Sequence, residues 1–99
     1  MLNIKKEQDN DKLTFALEGR LDTVTSPELE GAIKDSLDGV KELVMDFENL
    51  EYISSAGLRV LLSAQKTMMQ QGSMKVINVN DIVMEIFDVT GFGDILTIE

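Results

Sequence analysis

Two adjacent hydroxyls, Ser54 and Ser55, stand in the segment YISSAGLRVLL, followed at once by Ala56 and Gly57 and then by an amphipathic run. A serine hydroxyl is a poor nucleophile unless a base sits beside it. The 99-residue chain has neither histidine nor cysteine, which removes the imidazole base, a Ser-His-Asp triad, thiolate zinc sites and disulfides. Asp, Glu or Lys would have to serve, and none occurs between Ser54 and Lys66. The local order Ile53-Ser54-Ser55-Ala56-Gly57 is not a Gly-x-Ser-x-Gly elbow, so a serine hydrolase ranks last among the function classes. Nor does a Walker-type or Gly-x-Gly-x-x-Gly loop equip the chain for nucleotide chemistry of its own. These hydroxyls are better suited to receive a group than to transfer one.

The segment also has the marks of a helix N-terminus, where exposed backbone N–H groups and the helix dipole favour an anion. One serine acting as N-cap accounts for about 1 kcal/mol. Capping leaves Gly57 unexplained, since glycine inside a helix costs about 1 kcal/mol relative to alanine. Neither serine has Glu or Gln three places on, so there is no capping box. Ala56 and Gly57 together are expected to leave the hydroxyls sterically bare, open to another protein.

Charge patterning sharpens this. Eighteen acidic residues against nine basic give a net charge of -9, which opposes nucleic acid and anionic membrane as partners. From Tyr52 to Asn80 no acid occurs, while Arg59, Lys66 and Lys75 contribute +3, leaving -12 on the rest of the chain. The functional reading is that a surface near the serines avoids negative charge; the plainer one is that chance and packing left this stretch apolar and polar-neutral. The apolar content of 43% fits one globular domain over residues 1–99, which at this size buries roughly two-thirds of its unfolded surface. No apolar run approaches the roughly 20 residues of a membrane span, and the N-terminal MLNIKKEQDN lacks the apolar core of a signal peptide. The expectation is a cytoplasmic protein without a cofactor.

The elements that must hold the serines follow from periodicity. LNIKKEQ and KLTFALEG, separated by the turn-prone DNDK, read as paired strands. TSPELEGAIKDSLDG reads as a helix with Ser26 as N-cap and Pro27 at its first position, with Leu29, Ala32, Ile33 and Leu37 on one face and a stop near Gly39. ELVMDF is a short strand of the kind buried on both faces of a sheet. ENLEYI then turns into a helix from Ser55 to Gln71, with Leu58, Leu61, Leu62, Gln65 and Met69 inward and Gly72 as C-cap. MKVINV is a strand, DIVMEIFDV a short helix with Ile82, Ile86 and Phe87 inward, and DILTIE a last strand or its edge. The expected fold is α/β, a four- to five-stranded mostly buried mixed sheet with helices mainly on one face and right-handed crossovers. In such sheets the loops leaving the carboxyl ends of strands carry sites, and the serines sit on one.

ENLEYISSAGLRVLLSAQKTM resembles the signature of the STAS domain, in particular the bacterial anti-sigma factor antagonists, where Ser-(Ser/Thr/Ala)-Gly-Leu leads from a strand and short loop into a helix. LEGRLDTVTSPELEGAI is similar to the family's Gly-x-Leu-Asp loop and first helix, and VMEIFDVTGFGDILTIE to its C-terminal helix, glycine turn and last strand. The resemblance implies that Ser55 is the phosphoacceptor. It carries Asp22 and Thr23 onto the loop beside that serine and the docked kinase, although Asp22 also reads as a simple turn residue. Ser54, Ala56, Gly57, Leu58 and Arg59 complete the implied partner surface. Ala56 stands where some members have a second hydroxyl, and Ser54 where several have aspartate.

What the resemblance further implies is a partner switch. The unmodified domain binds an anti-sigma factor that is itself an ATPase-fold serine kinase, and so frees a sigma factor for transcription. Phosphorylation of Ser55 ends the complex, and a metal-dependent serine phosphatase resets it. On this reading the chain is a substrate and regulator and catalyses nothing. The competing expectation is a STAS scaffold that binds constitutively in a transporter-associated or stress-signalling complex.

Overall fold

The computed structural model describes residues 2–99. The first two strands, β1 (Leu2–Asp9) and β2 (Lys12–Leu21), form an antiparallel hairpin. Its turn uses Asn10 at φ 57°, a left-handed conformation that asparagine tolerates better than most residues. The carbonyl of Asp11 in the same turn accepts from the backbone N–H groups of Lys41 and Glu42, which fixes the start of the third strand against the hairpin.

The order then alternates: α1 (Ser26–Ser36), β3 (Glu42–Ile53), α2 (Ser55–Gln71), β4 (Ser73–Ile77), α3 (Asp81–Thr90), and a short 3-10 turn at Phe92–Asp94. The four strands lie in sequence order, with β2, β3 and β4 mutually parallel. The expected last strand at DILTIE is reduced to one parallel bridge, Ile98 to Val76, because the 3-10 turn uses up the first residues of that segment. The sheet thus has four strands, at the lower end of the expectation.

Alternation along the strands directs Leu13, Phe15 and Leu17 of β2, Leu43, Met45 and Phe47 of β3, and Met74 and Val76 of β4 to one face. There they meet Leu29 and Ile33 of α1, Leu58, Leu61 and Met68 of α2, and Val83 and Phe87 of α3 in a single cluster. The rings of Phe47 and Phe87 pack with centroids 6.3 Å apart. On the other face of β3 only Val44 is buried, while Glu42 and Asp46 are half-exposed, so ELVMDF is not covered on both sides as its sequence implied. Helices shield one face and polar side chains hold the other in water. Lys75, from the acid-free stretch, belongs to that open face, where it pairs with Glu42 (3.5 Å) and Glu99 (3.7 Å).

The third strand departs most from the sequence reading. ENLEYI does not turn into the helix but continues β3 to Ile53. Two register shifts make this possible: between the pairs Ala16–Asp46 and Glu18–Asn49, and again between Gly19–Leu50 and Arg20–Tyr52, β3 has one residue more than β2. Each bulge re-aims the strand. Phe47, Leu50 and Ile53, three residues apart, all become buried.

The helix faces also shift. The buried line of α2 is Gly57, Leu61, Ala64 and Met68, flanked by Leu58 and Val60, while Met69 is 72% exposed. In α3 the inward pair is Val83 and Phe87, and Ile82 faces outward. In α1, Thr25 occupies the N-cap position without a side-chain cap bond, Ser26 is already helical, and Pro27 follows it. Gly72 does cap α2, but not by a left-handed turn, since its φ is -178°. A Cβ there would collide with the Lys41 carbonyl, the group that accepts from Ser73 N–H, so the glycine lets the chain enter β4. Among the described residues no helix is long and apolar enough to cross a membrane.

Candidate functional site

The ends of β2 and β3 are paired, Leu21 against Ile53, and the pairing runs one step further because Ser54 N–H donates to the Leu21 carbonyl at 2.8 Å. Two loops therefore leave the sheet side by side, one beginning at Asp22 and the other at Ser54. A second cross-strand contact stiffens this end: the Arg20 guanidinium lies 4.6 Å from the centre of the Tyr52 ring, within cation–π range.

Ser54 is extended (φ -96°, ψ 176°) and caps α2, its Oγ accepting from Gly57 N–H at a long 3.4 Å while its carbonyl accepts from Leu58 N–H at 2.9 Å. Ser55 is the first helical residue and is exposed. Among the described residues neither the Ser55 nor the Ala56 backbone N–H has a hydrogen-bond acceptor. The first turn of α2 contains no acid. An exposed hydroxyl thus sits on a helix N-terminus whose amides and dipole favour negative charge.

Gly57 and Leu58 face the other way. Leu58 is 5% exposed and packs in the core. Gly57 lies against both strand ends: a Cβ on it would come within 2.8 Å of Ile53 Cγ1 and of Leu21 Cγ. Gly57 is therefore explained by the approach of α2 to the paired strands, not by a need to bare the serines. Ala56 is half-exposed and Arg59 exposed, and among the described residues Arg59 forms no ion pair.

The second loop is a closed hydrogen-bonded unit. Asp22 Oδ1 accepts from the backbone N–H groups of Val24 and Thr25, both at 3.0 Å. Thr25 Oγ1 donates to the Arg20 carbonyl at 2.8 Å and accepts from Asp22 N–H at 2.9 Å. Ser26 donates both its N–H and its hydroxyl to the Asp22 carbonyl. Thr25 and Ser26 are the two buried polar side chains of the core region, and both are satisfied within this loop. The sequence reading assigns Ser26 only the N-cap position and Thr25 no part; three hydroxyl residues within four places of Asp22, in DTVTS, are the signal for the loop that was there to find. The backbone N–H of Thr25, with that of Val24, stabilises the charged carboxylate and holds Asp22 below the usual carboxylate range.

Thr23 is exposed and borders, with Ala56 and Arg59, a shallow depression of about 200 Å³ between the first turns of α1 and α2, which Glu30 of α1 also lines. The structure thus brings Thr23, Ala56 and Arg59 to one surface, sets Ser54 and Ser55 at its edge through the strand pairing, commits Asp22 Oδ1 to its own loop, and turns Gly57 and Leu58 inward. Among the described residues no group of three or more carboxylate, imidazole or thiol side chains is placed to hold a metal ion.

Comparison with known proteins gives a family match over residues 3–99, to the STAS domain. The anti-sigma-B factor antagonist of Listeria monocytogenes is 31% identical over 98 residues, covering 95% of this chain and 84% of that protein. Among solved structures, an anti-sigma factor antagonist from Mycobacterium paratuberculosis superposes with a TM-score of 0.89 at 22% identity, covering 99% of this chain and 85% of that one. The Bacillus protein SpoIIAA superposes with TM-scores of 0.78 unphosphorylated and 0.76 phosphorylated, each at 18% identity and over 98% of this chain, covering 87% and 91% of those chains. At these identities the structural likeness is one of fold.

Two predictions test the site's construction. Gly57→Ala gains about 1 kcal/mol in helix propensity but overpacks two buried side chains at the strand ends at a cost of about 2–3 kcal/mol, so it should destabilise the protein by a net of about 1–2 kcal/mol. Chemical denaturation measures this, and a neutral or stabilised variant would show that α2 is free to move off the sheet. Because Asp22 is depressed on folding, its contribution is complete above the unfolded carboxylate value of about 3.9 and is lost as pH falls through the lower folded value. An NMR titration should place the Asp22 midpoint below that of an ordinary aspartate, and Asp22→Asn should remove this part of the acid sensitivity. A midpoint at or above the ordinary value contradicts the hydrogen-bonded loop.

Proposed function

The chain belongs to the STAS domain family, among the anti-sigma factor antagonists, and on that premise we propose that it is a cytoplasmic, non-catalytic partner switch controlled by phosphorylation of Ser55. The unmodified domain binds an anti-sigma factor that is also a serine kinase, and thereby frees a sigma factor. One observation carries the reading: Ser55 is an exposed hydroxyl on an acid-free helix N-terminus, held at the paired ends of two buried strands.

The chemistry divides between the partners. Ser55 Oγ attacks the γ-phosphorus of ATP, the bond to the β,γ-bridging oxygen breaks, ADP leaves, and the hydroxyl proton passes to a base on the kinase. This chain carries no base between Ser54 and Lys66, and Asp22 Oδ1 in the neighbouring loop is engaged by its own backbone amides, so base, magnesium and phosphate cradle come from the partner. A metal-dependent serine phosphatase reverses the modification. Residues 1–99 act as one domain in this cycle. Thr23, Ala56 and Arg59 form the surface that meets the kinase, while Asp22, Ser54, Gly57 and Leu58 hold it in shape.

Electrostatics gives the switch its direction. A phosphoserine carries about -1.5 to -2 charges, which a helix N-terminus favours by about 0.3–1 kcal/mol. In a docked complex the same group is desolvated against the kinase site, where an uncompensated interfacial charge costs about 2–5 kcal/mol. Binding should therefore fall by about thirtyfold to several thousandfold.

Incubation with the cognate kinase and Mg-ATP should place a single phosphate on Ser55, and the modified protein should lose the anti-sigma factor in a calorimetric titration. Ser55→Ala should bind persistently, and Ser54→Ala should slow modification without abolishing it. A phosphate mapped to Ser54 reassigns the acceptor. Binding unchanged by ATP, with no phosphate in either variant, supports instead a constitutive STAS scaffold.

A further inference from the structure

The third helix carries two apolar faces. Val83 and Phe87 fill the core, fully buried. Ile82, Ile86 and Val89 recur at the i, i+4, i+7 spacing of one helical stripe; its two ends point away from the core, Ile82 being 60% and Val89 80% exposed, while Ile86 between them is half-buried and packs against the edge of the core. Helical spacing places Glu85 beside the stripe and Asp81 and Asp88 along the same flank. No basic residue occurs between Asn78 and the C-terminal Glu99. The helix therefore presents two turns of aliphatic surface bordered on one side by carboxylates, on a different element from the loops that carry Ser55.

We propose that this face of α3 is a second docking surface, independent of the Ser55 switch, and that its occupant is a basic amphipathic helix of another protein. The stripe spans eight residues of helix, a rise of about 10 Å from Ile82 to Val89, the footprint of aliphatic anchors at i, i+4 and i+7 on a partner helix. The acidic flank fixes the partner's sign: lysine or arginine beside its apolar anchors would face Asp81, Glu85 and Asp88. The same carboxylates oppose a second copy of this chain, which would bring like charges together in a molecule of net charge -9, and oppose an anionic lipid surface.

The probe is a fluorescein-labelled synthetic peptide of about 14 residues, leucines on one helical face and lysines on the rest, with a leucine–glutamate peptide as its opposite. At physiological salt the lysine peptide should bind in an anisotropy titration and shift backbone amide resonances of residues 81–90, and the glutamate peptide should not bind. The double variant Ile82→Ser/Val89→Ser, whose replaced side chains are exposed and whose circular dichroism should match the parent, should weaken binding by about tenfold or more. Glu85→Lys/Asp88→Lys should weaken it further at low salt than at high salt. The proposal is overturned if the shifts spread over the acidic surface outside α3, or if Ile82→Ser/Val89→Ser binds as tightly as the parent. It is equally overturned by a concentration-dependent dimer, or by cosedimentation with phosphatidylglycerol vesicles, that the same double variant removes.

Discussion

The close approach of α2 to the paired ends of β2 and β3 is the constraint on which the rest depends. Leu21 and Ile53 are opposite each other in the parallel ladder, and Gly57 rests on both without room for a Cβ. That single missing carbon lets the helix begin two residues after the strand ends. It fixes Ser54 as cap and Ser55 as the first exposed residue of the helix. Because the Ser54 N–H donates to Leu21, the Asp22 loop is held beside the serines. A glycine that looked like clearance for a partner is a packing residue, and the placement of Ser55 on an exposed helix end is a consequence of that packing.

Much of this was legible in the sequence. The span of α2 and the presence of a capping serine follow from local chemistry, because capping residues and a breaking glycine bracket a long apolar period. The second half of β3 was not legible. Its bulges change the inward spacing from two residues to three, so Phe47, Leu50 and Ile53 match neither a strand nor a helix template. The inward face of α2 was read by the size of Leu62 and Met69, whereas the true face passes through Gly57 and Ala64, which are small because the helix is pressed onto the sheet. In α3 apolar residues surround the helix, and periodicity alone does not choose between Ile82 and Val83. The Asp22 loop depends on hydrogen bonds that return to the Arg20 and Asp22 carbonyls, a pattern set by where β2 ends.

A division of labour between rigid frame and chargeable surface is what the proposed switch at Ser55 requires. Asp22 Oδ1 and the hydroxyls of Thr25 and Ser26 are occupied inside their loop, and Leu58 and Gly57 are buried. Few groups around Ser55 are left to rearrange when charge is added. Arg59 and the exposed amides of the helix N-terminus are compatible with an anion, and the nearest acids by sequence, Glu51 and Glu48, belong to the strand behind. SpoIIAA keeps this same fold in its phosphorylated form, with TM-scores to the present chain that differ by only 0.02 between its two states.

The central claim is that phosphate acts by spoiling the fit of an intact surface. Amide hydrogen exchange on the Ser55-phosphorylated protein against the unmodified one tests it directly. The account predicts exchange at Ser54, Gly57, Leu58 and through the buried half of α2 that is unchanged or slower, with a melting temperature equal or slightly higher. Faster exchange from Ser54 through Met68, or a markedly lower melting temperature, would mean that the helix detaches from the strand ends and that switching is loss of structure.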